Sequence, residues 1–359
     1  MSIDSFLEEF TDRDWQEIGA DERDPVRFAM VGMGWWTTEE AIPAVEGSDF
    51  CETTVAVSGS VADPSEIEGT DVERAIDYEA FAAGEASDAY DAVYVATPNA
   101  LHLDHVRAAA DLGKDVLCEK PMEVSEERAR ELTEVCEEAG VTLMIAYRVQ
   151  TDPAARRARE LLREGVVGEP VSVHGGMSDE MLSFVDGSNH WRLDPELSGG
   201  TTMNDIGIYP LNTTRFLLDR DPVSAYGRIR TDQPEFEGTD EHASFEFEFE
   251  DGILLTGSVS HSACEESHLR VVGTRGQLLL DRPFFPGRPR KLVVEREGTR
   301  STVEFDQRNQ MRKEFDYFAH CLLTDTEPAP DGEHGVGDVR AIEAVYEADE
   351  TGKRVDLRR

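Results

Sequence analysis

Three side chains in this sequence have the types and the settings for chemistry: Lys120, Asp205 and Tyr209. Lysine is scarce here, with only Lys114, Lys120, Lys291, Lys313 and Lys353. One of them, Lys120, comes just after Val116-Leu117-Cys118, an apolar run that reads as the end of a buried strand. Pro121 behind it fixes φ and removes a donor, so the strand stops there. An X-Pro bond can also be cis at modest cost. A lysine at the mouth of a sheet suits proton handling or stabilisation of a developing negative charge. The plainer alternative is a solvated lysine at a strand end. Asp205 and Tyr209 are four residues apart, so they share one face of a helix. A carboxylate and a phenol on one face are hydrogen-bonding groups for a polyol and candidate proton carriers. The plainer alternative there is a first-turn aspartate beside a half-buried tyrosine.

The elements around Lys120 form a repeating pattern. Arg27–Val31 is a short apolar strand running into Gly32-Met33-Gly34-Trp35-Trp36-Thr37, then a helical pattern with Ala41, Ile42 and Val45. The first glycine permits a tight turn, and the second lets backbone approach a pyrophosphate at a helix N-terminus. Thr37 departs from the usual small third residue. The next strand, Thr54–Val57, ends in Ser58-Gly59-Ser60, where a dinucleotide without a 2′-phosphate usually meets an acid. Hydroxyls without a carboxylate favour NADP over NAD. Further strands at Asp91–Ala96, up to Cys118 and at Val141–Ala146 alternate with helices. This is a doubly wound parallel sheet. His102 and His105, three apart with no third ligand nearby, give no metal site.

After Thr151 the pattern changes. A helix spans Arg156–Arg163, and a strand spans Pro170–His174. Ala243, Phe245, Phe247 and Phe249 alternate with Ser244, Glu246 and Glu248, and Asp251-Gly252 is a hairpin turn. A second hairpin turns at Gly273-Thr274-Arg275-Gly276. These imply a large, mainly antiparallel sheet with one face buried. Helices are expected near 310–323 and 338–350, with an exposed loop between them carrying Pro328, Pro330, Gly332, Gly335 and Gly337. The expected domains are a helical extension at 1–24 docking through Phe6, Leu7, Phe10 and Trp15, a nucleotide-binding domain at 25–149, and a substrate and oligomerisation domain at 150–359.

The chain of 359 residues carries 75 acids against 35 bases, a net charge of −40. That charge excludes nucleic acid and anionic membranes as partners. Acid-rich, lysine-poor composition suits a protein working in concentrated salt, where the Debye length falls to about 3 Å at 1 M. Five cysteines with no C-x-x-C spacing fit free thiols in a cytoplasmic protein. The opening residues lack a basic n-region and an apolar h-region, so no signal peptide is expected, and no apolar run is long enough to span a membrane.

Five motifs occur together: G-x-G at Gly32 and Gly34, T-P-N-x-x-H at Thr97, Pro98, Asn99 and His102, E-K-P at Glu119–Pro121, Y-R at Tyr147-Arg148, and W-R-x-D-P-x-x-S-G-G-x-x-x-D-x-G-x-Y from Trp191 to Tyr209. In order and spacing they resemble the glucose–fructose oxidoreductase / inositol dehydrogenase (Gfo/Idh/MocA) family over about residues 25–359. The resemblance implies a Rossmann domain plus an open-faced sheet domain that forms homodimers or homotetramers. It implies NADP-dependent oxidation of an aldose, D-xylose first, at C1 to the aldonolactone. Other aldose or dihydrodiol dehydrogenases of the family, and a non-catalytic sugar or nucleotide sensor, are the alternatives. It assigns the catalytic lysine to Lys120, in a cis Lys-Pro turn, with Asp205 and Tyr209 as its partners. Either Tyr209, its phenolate stabilised by the Lys120 ammonium, or a neutral Lys120 takes the proton. Gly32, Gly34, Trp35, Trp36, Ser58, Ser60, Thr97, Pro98, Asn99, His102, Glu119, Lys120 and Arg148 are expected at the cofactor. Lys120, Arg148, Asn189, Trp191, Arg192, Asp205 and Tyr209 are expected at the sugar. Gly59 stands where relatives often carry a phosphate-binding arginine.

Overall fold

A computed structural model describes residues 23–59, 72, 74–185, 190–305 and 309–358. The N-terminal extension up to residue 22, Ser60 and Asn189 lie outside the described residues. The chain divides into two compact units.

The first unit runs to Arg148 and also takes in Asn309–Val336. Its sheet has six parallel strands in the order β3-β2-β1-β4-β5-β6. They are β1 Val26–Val31, β2 Cys51–Val57, β3 Arg74–Ile76, β4 Ala92–Val95, β5 Asp115–Glu119 and β6 Leu143–Ala146. This is the doubly wound order of a dinucleotide-binding fold. β4 and β6 are buried along their whole length, as parallel strands covered on both faces must be. The helices between them are α1 Ile42–Glu46, α2 Tyr78–Ala82, α3 His102–Asp111 and α4 Glu126–Ala139. Ser125 caps α4 by accepting from Arg128 N–H, and Gly140 ends it in the left-handed region.

One segment of this unit comes from far along the chain. Helix Gln310–Thr324 lays Phe315 and Phe318 on Phe28 of β1, with ring centroids 5.2 and 6.2 Å away. Burying each ring stabilises by about 2–3 kcal/mol, more than exposed charges on the same helix could offset. The domain boundary expected at 149/150 therefore does not hold Asn309–Val336, which pack with the first unit. The expected loop is shorter and spans residues 325–331. Pro328 and Pro330 are buried, and a helix starts at Gly332 and runs to Thr351. Its glycines are packing sites: a Cβ on Gly332 would lie 2.6 Å from Thr133 Oγ1, and one on Gly335 2.5 Å from Met122 Sδ.

The second unit comprises Val149–Arg308 and Gly337–Arg359. Its nine-stranded sheet has the order β14-β13-β12-β11-β7-β10-β9-β8-β15. The strands are β7 Pro170–Glu180, β8 Pro222–Arg230, β9 His242–Phe249, β10 Leu254–Ser260, β11 Ser262–Gly273, β12 Gly276–Asp281, β13 Arg290–Arg296, β14 Thr299–Phe305 and β15 Val355–Asp356. All pairs are antiparallel except β7 with β10. Both expected hairpins are present, with Leu254 opposite Glu248 and Val271 opposite Leu278. Ala243, Phe245, Phe247 and Phe249 are buried, while Ser244, Glu246 and Glu248 keep exposed surface on the open face. β7 runs past the expected end at His174 to Glu180. A Cβ on Gly175 would lie 2.6 Å from Leu269 Cδ1, so this glycine admits a close neighbour rather than ending the strand. Among the described residues no helix is long and apolar enough to cross a membrane.

Candidate active site

In the first unit the expected residues gather at the C-terminal ends of the parallel strands, where such sheets bind ligands. Gly32 follows β1 with φ +99°, and a Cβ there would lie 2.7 Å from Ala96 O. No other residue fits. A Cβ on Gly34 would meet nothing within 4 Å, so backbone at this turn can be approached closely. The odd third residue has a local explanation: buried Thr37 donates its hydroxyl to Gly32 O at 2.5 Å. Helix then continues from Trp35 through a π-helical turn, Thr37–Ala41, in which Ile42 N–H reaches back to Thr37 O. Pro43 lacks the N–H an unbroken α-helix needs, and a π-turn absorbs that.

Glu119 is the polar centre of this unit. Its Oε1 accepts from Trp36 Nε1 at 2.9 Å and from Tyr94 OH at 2.7 Å, and its Oε2 accepts from Lys120 N–H at 3.1 Å. Burial and the Glu119 carboxylate hold the Tyr94 phenol well above its ordinary pKa, so it remains a donor. Lys120 follows, half-buried, and its bond to Pro121 is cis, as expected. Thr97, Pro98 and Asn99 form the turn after β4. His102, expected at the cofactor, is an interior side chain. Its Nε2 lies 2.9 Å from Thr97 O and its Nδ1 3.2 Å from Met122 O, so it ties the 97–99 turn to the Lys120 turn. Burial lowers its pKa.

Arg148 is likewise interior, 4% exposed. It donates to Gln310 Oε1 and stacks over Trp36 with 5.8 Å to the ring centroid. Glu314, wholly buried, feels the same charge. Burial and then Glu119 push its carboxyl pKa well above the ordinary value, against the pull of Arg148. Trp35 is 67% exposed beside Trp36. At the end of β2, Ser58 hydrogen-bonds Tyr78, whose ring lies 4.7 Å from His105. No carboxylate stands at Ser58-Gly59. Glycine turn, open backbone at Gly34 and hydroxyls after β2 together fit a dinucleotide with a 2′-phosphate.

In the second unit Trp191, Arg192 and Asp205 come together, and Tyr209 follows Asp205 on the same helix. Trp191–Leu193 is a 3-10 turn and α6, Pro195–Ser198, ends at Gly199 in the left-handed region. Gly200 has φ +122°, and a Cβ there would clash with the Tyr346 ring. The chain then enters a π-helical turn, Met203–Gly207, and α7, Ile208–Leu218. Buried Asp240 anchors this entry, accepting from Thr201 N–H at 2.6 Å and Met203 N–H at 2.7 Å. Of residues 201–217, Asp205 and Tyr209 alone keep partly exposed side chains. Arg192 Nε donates to Asp205 Oδ2 at 3.1 Å, and its guanidinium lies 4.5 Å from the Trp191 ring centroid. Tyr209 stacks on Phe284 at 5.6 Å. α7 and α5, Pro153–Arg163, pack on the buried face of the sheet.

Residues 26–147 match the oxidoreductase family with an NAD-binding Rossmann fold, and residues 155–279 match the GFO/IDH/MocA C-terminal domain. The chain belongs to the GFO/IDH/MocA oxidoreductase family. Within this family it is 51% identical to a D-xylose 1-dehydrogenase [NADP(+)] of Haloarcula marismortui, over 99% of this chain and 100% of that one. It is 33% identical to D-xylose 1-dehydrogenase (NADP(+)) 2 of Haloferax volcanii, over 92% of this chain and 99% of that one. Among solved structures, an aldose-aldose oxidoreductase from Caulobacter crescentus complexed with glycerol superposes with TM-score 0.85 at 29% identity, covering 93% of this chain and 100% of that one.

Sequence reasoning missed Tyr94, Gln310, Glu314, Asp240, Asp179 and His261. Tyr94 gave one signal, a phenol inside an otherwise apolar strand. The others lie far in sequence from the groups they serve.

Proposed function

We propose that this chain oxidises an aldose, D-xylose first, at C1 to the aldonolactone. The observation that carries this is its likeness, along the whole of both chains, to the Haloarcula D-xylose 1-dehydrogenase [NADP(+)]. NADP+ supplies the hydride acceptor when bound. Gly32, Gly34 and Ser58 would hold its phosphates, and Glu119 and the 97–99 turn would line the rest of its site.

Tyr209 takes the proton from the C1 hydroxyl, and the Lys120 ammonium stabilises the negative charge on that oxygen and on the phenolate. A neutral Lys120 taking the proton itself is the other form of this mechanism. Asp205 and Arg192 orient sugar hydroxyls by charge-assisted hydrogen bonds, and Trp191 offers its ring face. Asn189 completes the sugar set.

The acidic surface fits work in concentrated salt in the cytoplasm. The open face of the nine-stranded sheet is the surface for pairing into a homodimer or homotetramer. The test uses purified protein in molar KCl with a pentose, hexose and dihydrodiol panel and either NADP+ or NAD+. NADPH formed fastest with D-xylose, and xylonolactone identified by NMR, is the expected result. No reduced cofactor with any member would make the chain a sensor.

A further inference from the structure

His261 lies in the one-residue link between β10 and β11 and is almost wholly buried, at 1% exposure. Its backbone is fixed on both sides: its N–H donates to Glu241 O at 3.1 Å, and its carbonyl accepts from Met181 N–H at 3.0 Å. Its ring Nδ1 lies 2.7 Å from Asp179 Oδ1, near the end of β7. A carboxylate accepts, so Nδ1 carries the proton. Nε2 then points the other way, 3.6 Å from Asp205 Oδ2, and among the described residues makes no hydrogen bond. The same Asp205 oxygen receives Arg192 Nε from another side.

We propose that His261, braced by Asp179, is a positioning residue that fixes the Asp205 carboxylate for the sugar. An imidazole edge with no partner is costly to bury. This one stands directly behind the only carboxylate that the run 201–217 leaves partly exposed. Arg192 pulls Oδ2 from one side, and His261 closes the space behind it. The carboxylate plane is thereby set by two groups, each held by its own anchor. A small displacement of such an acceptor weakens a bound hydroxyl's alignment. Nothing in the spacing of Val259-Ser260-His261-Ser262 reveals this, because Asp179 and Asp205 reach His261 from distant strands and turns.

The inference rests on Asp205 contacting the sugar, so the experiment tests both. His261→Asn keeps an amide toward Asp179 and removes the atom facing Asp205. His261→Gln places an amide near the position of Nε2. Kinetics with D-xylose and NADP+ in molar KCl are compared with thermal melts. The expected result for His261→Asn is a rise of about tenfold in the KM for xylose, with the KM for NADP+ and the melting temperature near wild type. His261→Gln recovers most of the loss. Asp179→Asn, which still accepts from Nδ1, gives a smaller rise in the same parameter and serves if a His261 variant fails to fold. Asn and Gln variants that lose activity alike and in step with stability would make His261 structural only. A wild-type xylose KM in His261→Asn overturns the proposal while the Asp205 assignment stands. Wild-type kinetics in Asp205→Asn remove the assignment and the proposal together.

Discussion

Tyr94 donates its hydroxyl to Glu119 Oε1 across 2.7 Å, inside a strand that is otherwise apolar. The bond joins the middle of the parallel sheet to the residue just before Lys120. Tyr94→Phe leaves the ring in place and removes one hydrogen bond to a charged group, worth about 1.5–3 kcal/mol. Denaturant melts should show a loss of that size. The KM for NADP+ should rise several-fold, because Trp36 and Lys120 N–H alone then orient Glu119. Unchanged stability together with an unchanged KM would remove Glu119 from the centre of this unit.

Asp240 organises the other unit from a distance. Both its oxygens accept backbone N–H groups, of Thr201 and Met203. Asp240→Asn turns a donor toward one of those donors. It should cost roughly 2 kcal/mol or more. The π-turn carrying Asp205 loosens, so kcat/KM for xylose should fall about tenfold while NADP+ binding, read by fluorescence, stays the same. Equal losses in both would point to a general folding defect.

His105 gives a pH signature. Burial holds its pKa down from 6.5 to about 4, with His102 lowering it further and Asp104 opposing. A depressed folded-state value means the unfolded chain binds the proton first as pH falls. The stability His105 contributes is complete above pH 6.5 and drains away as pH drops toward 4. His105→Phe keeps an aromatic ring against Tyr78 and has no such titration. The stability of wild type relative to this variant should therefore decline across that window. Parallel profiles from pH 7 to pH 4 would contradict the assignment.

Much of this architecture is legible in the sequence because it is local. The strand before Gly32, the capped helix at Ser125 and the alternating Phe245, Phe247 and Phe249 each declare themselves within ten residues or so. Asp205 and Tyr209 both keep partly exposed side chains, on a helix that opens with a π-turn. What stayed hidden is set by partners far along the chain. The strand expected over Pro170–His174 runs on to Glu180, past Gly175, whose neighbour Leu269 is ninety-odd positions away. Gly332 and Gly335 looked like a loop because Thr133 and Met122 are what require them to be small. Helix Gln310–Thr324 has the amphipathic pattern of a surface helix, but nothing in it names Phe28 as its neighbour. His102 and Arg148 sit in family motifs, and their burial shows them holding turns and stacked rings in place.

In the proposed mechanism Lys120 and Tyr209 together carry C1 oxidation of D-xylose. The direct measurement is the initial rate of NADPH formation by wild type, Lys120→Ala and Tyr209→Phe in molar KCl, with NADPH affinity measured on each protein. Lys120→Ala should lose turnover by about a thousandfold or more and Tyr209→Phe by about a hundredfold or more, while both bind NADPH nearly as wild type does. A Lys120→Ala protein that oxidises D-xylose at close to the wild-type rate would contradict the mechanism.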